Sequence, residues 1–310
     1  IVIHLAAIVD AFSTNRRGKD EECMHVNYNS AVETARIAKN NGVLNFIFQS
    51  SVSMYSRGEN ISEDGETNPL STYGRAKMYA EKEILELNDD SFSACVLRPA
   101  TLIGWNSGFR YETIINMSCI RSVHNIPLFF FESALTNPKS YLWLKDNARS
   151  MEFALKNMGS MKGQSYNISS FNVSLDRVIE IIKKYLGRDF NHRIVRENTI
   201  NQQVYTVSSQ KIKDLGFKFE GDIDNILEHA LHHLNGGKLN VTDNFMFKEL
   251  ELPGIIEITP KVMTDERGNF SEIFHQGVFS RLGIGPLLVQ SNESVSKKGV
   301  LRGLHMQKSP

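Results

Sequence analysis

A phenol and an ammonium group stand four residues apart in the segment Tyr73-Gly74-Arg75-Ala76-Lys77. Residues at this spacing lie on the same face of an α-helix, so both side chains can reach one ligand. A tyrosine with a reference pKa of about 10 is a poor proton carrier at neutral pH, but a nearby cation stabilises the phenolate and lowers that pKa. Tyr73 is therefore a candidate acid or base. Because such a pair also occurs by chance on solvated helices, it needs neighbours that fit.

A serine hydroxyl is the third candidate group. The segment Phe48-Gln49-Ser50-Ser51 lies at the carboxyl end of a predicted strand, where open α/β sheets bind their ligands. Ser51 could hydrogen-bond a substrate oxygen there. Together with Tyr73 and Lys77, it predicts the site of an oxidoreductase.

Alternating strands and helices must position these groups. Apolar runs predict buried strands at 1–7, 44–48 and 92–97, and helical spacing predicts helices at 29–41, 72–87, 173–186 and 223–234. The polar residues 13–22 are predicted to form a loop, and a turn-rich stretch precedes the helix at 72–87. This alternation is typical of an α/β protein with a doubly wound parallel sheet. Asn235-Gly236-Gly237 then predicts a domain boundary, with domains at 1–237 and 238–310. Beyond it, short strands separated by turns predict an all-β part.

Composition excludes several classes of function. Lys+Arg 35 balance Asp+Glu 35, so the surface is not built for nucleic acid, and no apolar run approaches the roughly 18 residues of a membrane span. Cys23, Cys95 and Cys119 show no metal-ligand spacing, which predicts free buried thiols in the cytoplasm. His229, His232 and His233 share one helix but have no carboxylate partner motif, so we assign no metal.

A larger set of motifs surrounds the candidate site. In chain order these are Val2-Ile3-His4-Leu5-Ala6-Ala7, Asn27, the Ser-Ser strand end, Tyr-x-x-x-Lys and Leu97-Arg98-Pro99-Ala100. Residues 1 to about 235 thereby resemble the extended short-chain dehydrogenases, specifically the NAD-dependent epimerase/dehydratase family that acts on nucleotide sugars. The resemblance implies an enzyme with a Rossmann-like sheet and a small substrate-binding portion. It also implies NAD or NADP as cofactor, a nucleotide-sugar substrate and a homodimer.

The resemblance also implies a role for each matching residue. Tyr73 would be the catalytic acid or base, Lys77 would lower its pKa and hold the nicotinamide ribose, and Ser51 would orient the sugar. Ala6 and Ala7 would lie against the cofactor, with Asn27 behind them and Pro99 beside the nicotinamide. Lys145-Asp146 would be structural.

Two departures from the family pattern bear on the reaction. In the 4,6-dehydratases the catalytic Ser or Thr is followed by Asp-Glu, whereas Val52-Ser53 follows Ser51 here. Elimination of water is thus disfavoured, and reduction of a 4-keto sugar or C4 epimerisation remains. No G-x-G-x-x-G phosphate loop occurs. We expect that loop in two βα units ahead of Ile1, and weak dinucleotide binding without it.

The last part of the chain carries a second resemblance. It contains D-x-R-G-x-F from Asp265, V-Q-x-N-x-S-x-S from Val289 and G-V-L-R-G-L-H-x-Q from Gly299. These motifs resemble the amino-terminal portion of dTDP-4-dehydrorhamnose 3,5-epimerase, a cupin-type jelly roll. The resemblance implies His305 as the base that removes protons at C3 and C5. Arg267 and Arg302 would bind the pyrophosphate, and the remaining matches would contact nucleotide or sugar: Phe270, Glu272, Gln290 and Asn292.

The two resemblances point to one pathway, because a 3,5-epimerase needs a 4-keto sugar and a 4-keto reductase consumes its product. We therefore expect a bifunctional enzyme that reduces C4 of a nucleotide sugar and epimerises C3 and C5, with the partial cupin incomplete at its end. C4 epimerisation with tightly bound NAD is the alternative. A non-catalytic dinucleotide- or sugar-binding module is a further alternative from another class.

Overall fold

The computed structural model describes residues 1–9, 20–106, 110, 113–196, 204–236, 244–249, 256–275, 279 and 290–301. The strands are β1 (Val2–His4), β2 (Asn45–Gln49), β3 (Arg57–Ile61), β4 (Ser93–Pro99), β5 (Thr101–Ile103), β6 (Leu128–Phe131), β7 (Lys139–Trp143), β8 (Ser165–Ile168), β9 (Phe171–Val173), β10 (His192–Val195), β11 (Val204–Val207), β12 (Phe245–Glu249), β13 (Ile256–Pro260), β14 (Val262–Asp265), β15 (Gly268–His275) and β16 (Gln290–Ser296). The helices are α1 (Asp20–Met24), α2 (Ser30–Asn40), α3 (Thr72–Glu86), α4 (Ile114–Val123), α5 (Glu132–Thr136), α6 (Leu144–Lys156), α7 (Met158–Met161), α8 (Leu175–Leu186), α9 (Gln210–Asp214) and α10 (Ile223–Gly236).

A parallel sheet in the order β1-β2-β4-β8 forms the centre of the first part of the chain. Side chains alternate across each strand, so Phe46 and Phe48 pack under α2 and α3 while Ile47 packs on the opposite face. Apolar side chains thus cover both faces of the sheet, as a doubly wound fold requires. The predicted fold class is confirmed.

Smaller sheets complete this part of the chain. Strands β5, β7 and β9 form one sheet, β6 pairs with β10, and β3 pairs with β11. A separate apolar core packs α4, α8 and α10 together through Ile115, Cys119, Val178, Ile182 and Leu231. Helices α4 and α8 and strands β6, β7 and β9 contribute residues to a large cavity.

The predicted elements are found with small shifts at their ends. The helix predicted at 72–87 is α3, and the helix predicted at 29–41 is α2, which ends before Gly42 at a φ of 74°. The stretch from Arg57 to Ile61, which was interpreted as turns, is strand β3. Its four leading residues are exposed and show no apolar alternation, and only pairing with the distant β11 makes it a strand. Asp20 to Glu22, predicted as loop, begins α1.

Strand β1 also corrects an expectation. It was predicted to be fully buried over 1–7, but it spans Val2–His4, and Ile1, Ile3 and Leu5 are 71%, 36% and 54% exposed. The physical reason is that β1 is the edge strand of the described sheet, with β2 as its only partner there.

The described part of the last segment is all antiparallel. Strand β12 pairs with β13, and β14, β15 and β16 form a three-stranded sheet. The predicted all-β character of this segment is confirmed. Helix α10 ends at Gly236, next to the predicted boundary. The division into domains 1–237 and 238–310 stays a prediction.

The three thiols are free and buried, as expected. Burial raises the pKa of Cys95 and of Cys119 to about 12. Within the described ranges, no helix is long and apolar enough to cross a membrane.

Candidate active site

A cavity of about 1250 Å³ opens at the carboxyl ends of β1, β2 and β4. Ser51 and Tyr73 line it together with Lys77, so the three side chains predicted to act together meet in one place. This is the edge at which open parallel sheets bind ligands.

Helix α3 carries two of these groups on the face that it turns to the sheet. It begins after Ser71, whose Oγ accepts from the Gly74 backbone N–H at 3.0 Å. Gly74 allows a close approach, because a Cβ there would lie 2.5 Å from the Ser53 carbonyl oxygen. The first turn of α3, including Tyr73, is thereby held against the turn that carries Ser51.

Lys77 is buried, with 2% of its surface exposed. Its Nζ donates to the Gln49 carbonyl at 2.9 Å and lies 4.7 Å from the centroid of the Phe48 ring. Burial lowers the pKa of Lys77 from 10.5 to about 8, since removal from water disfavours the ammonium form. The group is still a cation at neutral pH.

The phenol of Tyr73 departs from the expectation. Burial raises its pKa, while a hydrogen bond with Ser51 and the charge of Arg110 act in the opposite direction. Lys77 is not among the groups that act on this pKa in the structure, and its expected effect on the phenolate stays a prediction. The ammonium lies 6.0 Å from the centroid of the Tyr73 ring and is bonded to the Gln49 carbonyl instead.

Ser51 has all its hydrogen-bonding groups in use. Its Oγ donates to Ser53 Oγ at 3.0 Å, accepts from the Ser53 backbone N–H at 3.1 Å and is bonded to the Tyr73 phenol. Val52 to Met54 form a 3-10 turn that Ser51 caps, so the backbone itself aims the hydroxyl into the cavity.

The structure places some of the predicted cofactor residues in the cavity lining and others outside it. Ala7 and Pro99 line the cavity, whereas Ala6 and Asn27 are not among its described lining residues. Asn27 lies in a π-helical turn, and its amide donates to the Ile8 carbonyl and accepts from the Ile8 N–H, both at 3.0 Å. Asn27 therefore holds the backbone that follows β1. Its role beside the cofactor stays a prediction.

The chemistry of this wall fits the nicotinamide-ribose half of a dinucleotide. Ser50 Oγ and Gln49 Oε1 are buried and have no hydrogen-bond partner among the described residues, and both side chains line the cavity. Buried polar atoms normally find a partner, so these two are free to bind the hydroxyls or the amide of a ligand. Lys77 and Tyr73 supply further donors beside them.

Two cations in the cavity were not foreseen from the sequence. Arg110 and Lys139 line it with Lys77, and no Asp or Glu is among the described lining residues. Arg110 gave no signal, because no motif in the sequence includes it. Lys139 begins β7, two residues before the buried Tyr141, and only the fold turns it towards the cavity.

A buried ion pair behind the site was also missed. Arg98 Nε donates to both carboxylate oxygens of Glu81 at 3.0 and 3.1 Å, and Ser165 Oγ donates to the same carboxylate at 2.6 Å. Glu81 follows Lys77 by four residues, so helical spacing could have placed it on the same face. The pair fastens α3 to β4 and β8.

The site residues predicted in the last segment are only partly described. His305 and Arg302 lie outside the described residues, as does the side chain of Gln290. Arg267 is exposed and bonded to Asp265 within its own turn, at 3.0 Å from Nε. In the sheet Glu272 is paired with Asn292, and Phe270 lies two residues before Glu272 on the same strand.

The three histidines of α10, His229, His232 and His233, are exposed. His233 stacks on Trp105 with ring centroids 5.5 Å apart. In the part of the chain that the structure describes, no group of three His, Cys, Asp or Glu side chains could hold a metal.

Two family models match the chain. The model described as the NAD dependent epimerase/dehydratase family matches residues 1–169, and the model described as dTDP-4-dehydrorhamnose 3,5-epimerase matches residues 249–310. Both resemblances inferred from the motifs are thereby confirmed. The description of the first model agrees with the expected nicotinamide cofactor.

Two curated relatives match about a fifth of the chain each. The dTDP-4-dehydrorhamnose 3,5-epimerase of Methanothermobacter thermautotrophicus is 50% identical over 64 residues, 21% of this chain and 35% of the relative. The Shigella flexneri protein of the same description is 51% identical over 61 residues, 19% of this chain and 34% of the relative. The chain thus spans about a third of the length of these relatives.

Solved structures match the larger part of the chain. UDP-glucuronic acid 4-epimerase from Bacillus cereus in complex with NAD has a TM-score of 0.66 at 19% identity, covering 76% of this chain and 74% of its own. MoeE5 in complex with UDP-glucose and NAD has a TM-score of 0.65 at 21% identity, covering 74% and 77%. These likenesses show a shared fold.

Proposed function

Because the chain belongs to the NAD dependent epimerase/dehydratase family, a family of enzymes, we propose that its first part reduces the C4 ketone of a nucleoside-diphosphate sugar with NADH or NADPH. One observation carries the proposal. Ser51, Tyr73 and Lys77 meet in a cavity whose described lining contains cations and no carboxylate.

The proposed reaction needs a hydride at C4 and a proton at the C4 oxygen. The bound nicotinamide supplies the hydride. Tyr73 donates its phenolic proton to the oxygen, and Ser51, which is hydrogen-bonded to the phenol, orients it for this transfer. Lys77, protonated at neutral pH with its pKa of about 8, then stabilises the phenolate that remains.

The charge of the cavity supports an anionic substrate. Lys77, Arg110 and Lys139 line it, and no Asp or Glu is among its described lining residues. A nucleoside diphosphate carries the opposite charge, and guanidinium groups bind phosphate oxygens well. The lack of an acidic side chain beside Ser51 also argues against elimination of water, because that step needs a second acid-base pair.

The last segment supports a 4-keto sugar as the substrate class. Its curated relatives are described as dTDP-4-dehydrorhamnose 3,5-epimerases, and a 4-dehydro sugar carries the ketone that the first part would reduce. In our proposal His305 removes the protons at C3 and C5, which lie next to that ketone and are acidified by it. Arg267 and Arg302 would bind the pyrophosphate. One polypeptide would then present the ketone to both sites at raised effective concentration.

The test is a cofactor balance. The full chain is incubated with a dTDP-4-keto-6-deoxy sugar and NADH or NADPH, and nicotinamide absorbance is followed beside product analysis. Reduction consumes one reduced cofactor per product, and Tyr73→Phe lowers the rate by about a hundredfold or more. Tyr79→Phe, on the exposed face of the same helix, is the matched control.

Other outcomes separate the alternatives. A C4 epimer formed without loss of added cofactor would replace reduction by epimerisation. Tight binding of nucleotide sugar without turnover would favour a binding module.

A further inference from the structure

Four hydroxyl groups form a continuous line that starts at Tyr73 and leaves the cavity. The Tyr73 phenol is hydrogen-bonded to Ser51, Ser51 Oγ donates to Ser53 Oγ at 3.0 Å, and Ser53 is hydrogen-bonded to the phenol of Tyr205. We call Tyr73, Ser51, Ser53 and Tyr205 the hydroxyl line. Its last two members have no part in the function proposed above.

Tertiary structure alone brings Tyr205 to this place. It lies on β11, which pairs in parallel with β3, far along the chain from the other members. Its ring packs against Tyr55 with centroids 6.3 Å apart and planes at 66°, and this contact fixes the direction of the phenol. At the other end, the approach of Gly74 to the Ser53 carbonyl holds α3 against the serine turn.

The hydrogen bonds of the hydroxyl line can run in either direction. A serine hydroxyl has one proton to donate and two lone pairs. With a neutral Tyr73, Ser51 can give its proton to Ser53, whose Oγ lies 3.0 Å away. When Tyr73 loses its proton to the sugar oxygen, rotation of the hydroxyls lets Tyr205 donate to Ser53, Ser53 to Ser51, and Ser51 to the phenolate. Ser51, Ser53 and Tyr205 each keep their own proton. The rotation therefore reorients their dipoles and moves no net charge along the line.

Such an alignment favours the charged form of Tyr73. Hydrogen bonds in a chain polarise one another, and donors aimed in advance at a developing charge stabilise it without reorganising solvent. Tyr205 suits the far end of the line, because burial raises its pKa to about 12 and the phenol therefore remains a donor at neutral pH.

We propose that Ser53 and Tyr205 are positioning residues for the reaction of Tyr73: they turn the Ser51 hydroxyl towards the Tyr73 oxygen as negative charge develops there. The proposal rests on the function proposed above, since it concerns the same proton transfer. It assigns to Tyr205 a role that no motif of the sequence indicated.

The first test is kinetic. Tyr205→Phe and Ser53→Ala in the full chain should each lower kcat for 4-keto reduction by about tenfold, the effect of one lost hydrogen bond, with KM within about twofold. The pH limb due to Tyr73 should move to higher pH, by about half a unit. Ser53→Thr keeps the hydroxyl and should restore wild-type kinetics.

Tyr166→Phe is the matched control, because it also removes a buried phenol from the core around the sheet. The Tyr166 hydroxyl donates to the Ser160 carbonyl and not to the line. This variant should leave kcat and the pH limb unchanged. Circular dichroism and the Tm of each variant show whether the fold is kept. Tyr205→Phe and Ser53→Ala lie on different elements, so one remains informative if the other unfolds.

The second test needs no turnover. Phenolate absorbance is titrated in wild type and in Tyr73→Phe, and the difference isolates Tyr73. The same difference is then measured in the Tyr205→Phe and Ser53→Ala backgrounds, where the pKa of Tyr73 should be higher. If the wild-type protein reduces no 4-keto sugar, the proposed function fails. The titration still tests whether Ser53 and Tyr205 affect the pKa of Tyr73. A Tyr73 titration that is unchanged in both backgrounds would overturn the inference.

Discussion

Replacing Lys77 by methionine should abolish catalysis without destabilising the fold. Burial lowers the pKa of Lys77 from 10.5 to about 8. Each pKa unit corresponds to about 1.4 kcal/mol, so the buried ammonium costs the folded state about 3 kcal/mol at neutral pH. In the variant the Gln49 carbonyl loses this donor, which costs about 2 kcal/mol. Methionine has a similar length and no charge, and we expect Lys77→Met to be about 1 kcal/mol more stable at pH 7.

The pH dependence gives the sharper signature. Below about pH 8 Lys77 is protonated in both folded and unfolded chains, and the folded state bears the whole cost. Between about pH 8 and the unfolded value of 10.5 the folded chain binds fewer protons than the unfolded chain, so wild-type stability rises with pH. The gain in stability of Lys77→Met over wild type should therefore be largest at neutral pH and should decrease between about pH 8 and 10.5.

Urea unfolding from pH 7 to 10 measures the difference, with reduction of a 4-keto sugar assayed beside it. Lys82→Met is the matched control, since Lys82 is exposed on the same helix. The control should show no such pH-dependent difference and should keep activity. A Lys77→Met protein that is less stable than wild type by more than about 1 kcal/mol at pH 7, or a difference that does not change with pH, would refute the reasoning.

Two further substitutions test how α3 is held. Gly74→Ala places a Cβ 2.5 Å from the Ser53 carbonyl, so we expect a loss of about 1–3 kcal/mol and a lower kcat, whereas Gly159→Ala, with open space around it, should change neither Tm nor kcat. Glu81→Gln leaves the Arg98 guanidinium buried without its counter-charge and should cost about 3–5 kcal/mol in urea unfolding. An unchanged unfolding midpoint would show that the pair does not hold the helix.

Local sequence patterns predicted the longer helices and the strands at the centre of the parallel sheet. Helix α3 and strand β2 were predicted from apolar spacing alone, because the core that they build selects that spacing. Strand β3 was not found. Its side chains are mostly exposed, and its pairing with β11 depends on residues far along the chain. Such a strand carries no signal within its own window.

The residues of the candidate site likewise differ in whether a local sequence pattern predicts them. Tyr73 and Lys77 were predicted because one helical face brings them together, and Ser51 because a strand ends there. Arg110, Lys139 and Tyr205 were missed. Each reaches the site through contacts made only after the sheets assemble, and none belongs to a local pattern.

The direction of the Tyr73 pKa follows from this difference. Spacing along α3 predicts that an ammonium lies near the phenol, but it does not predict what else the ammonium contacts. In the folded chain Lys77 is bonded to the Gln49 carbonyl, and burial of Tyr73 then outweighs the groups that favour its phenolate. Proton transfer from Tyr73 must therefore depend on donors that respond as charge develops. Ser51, with the hydroxyls behind it, is the described group placed to provide that response.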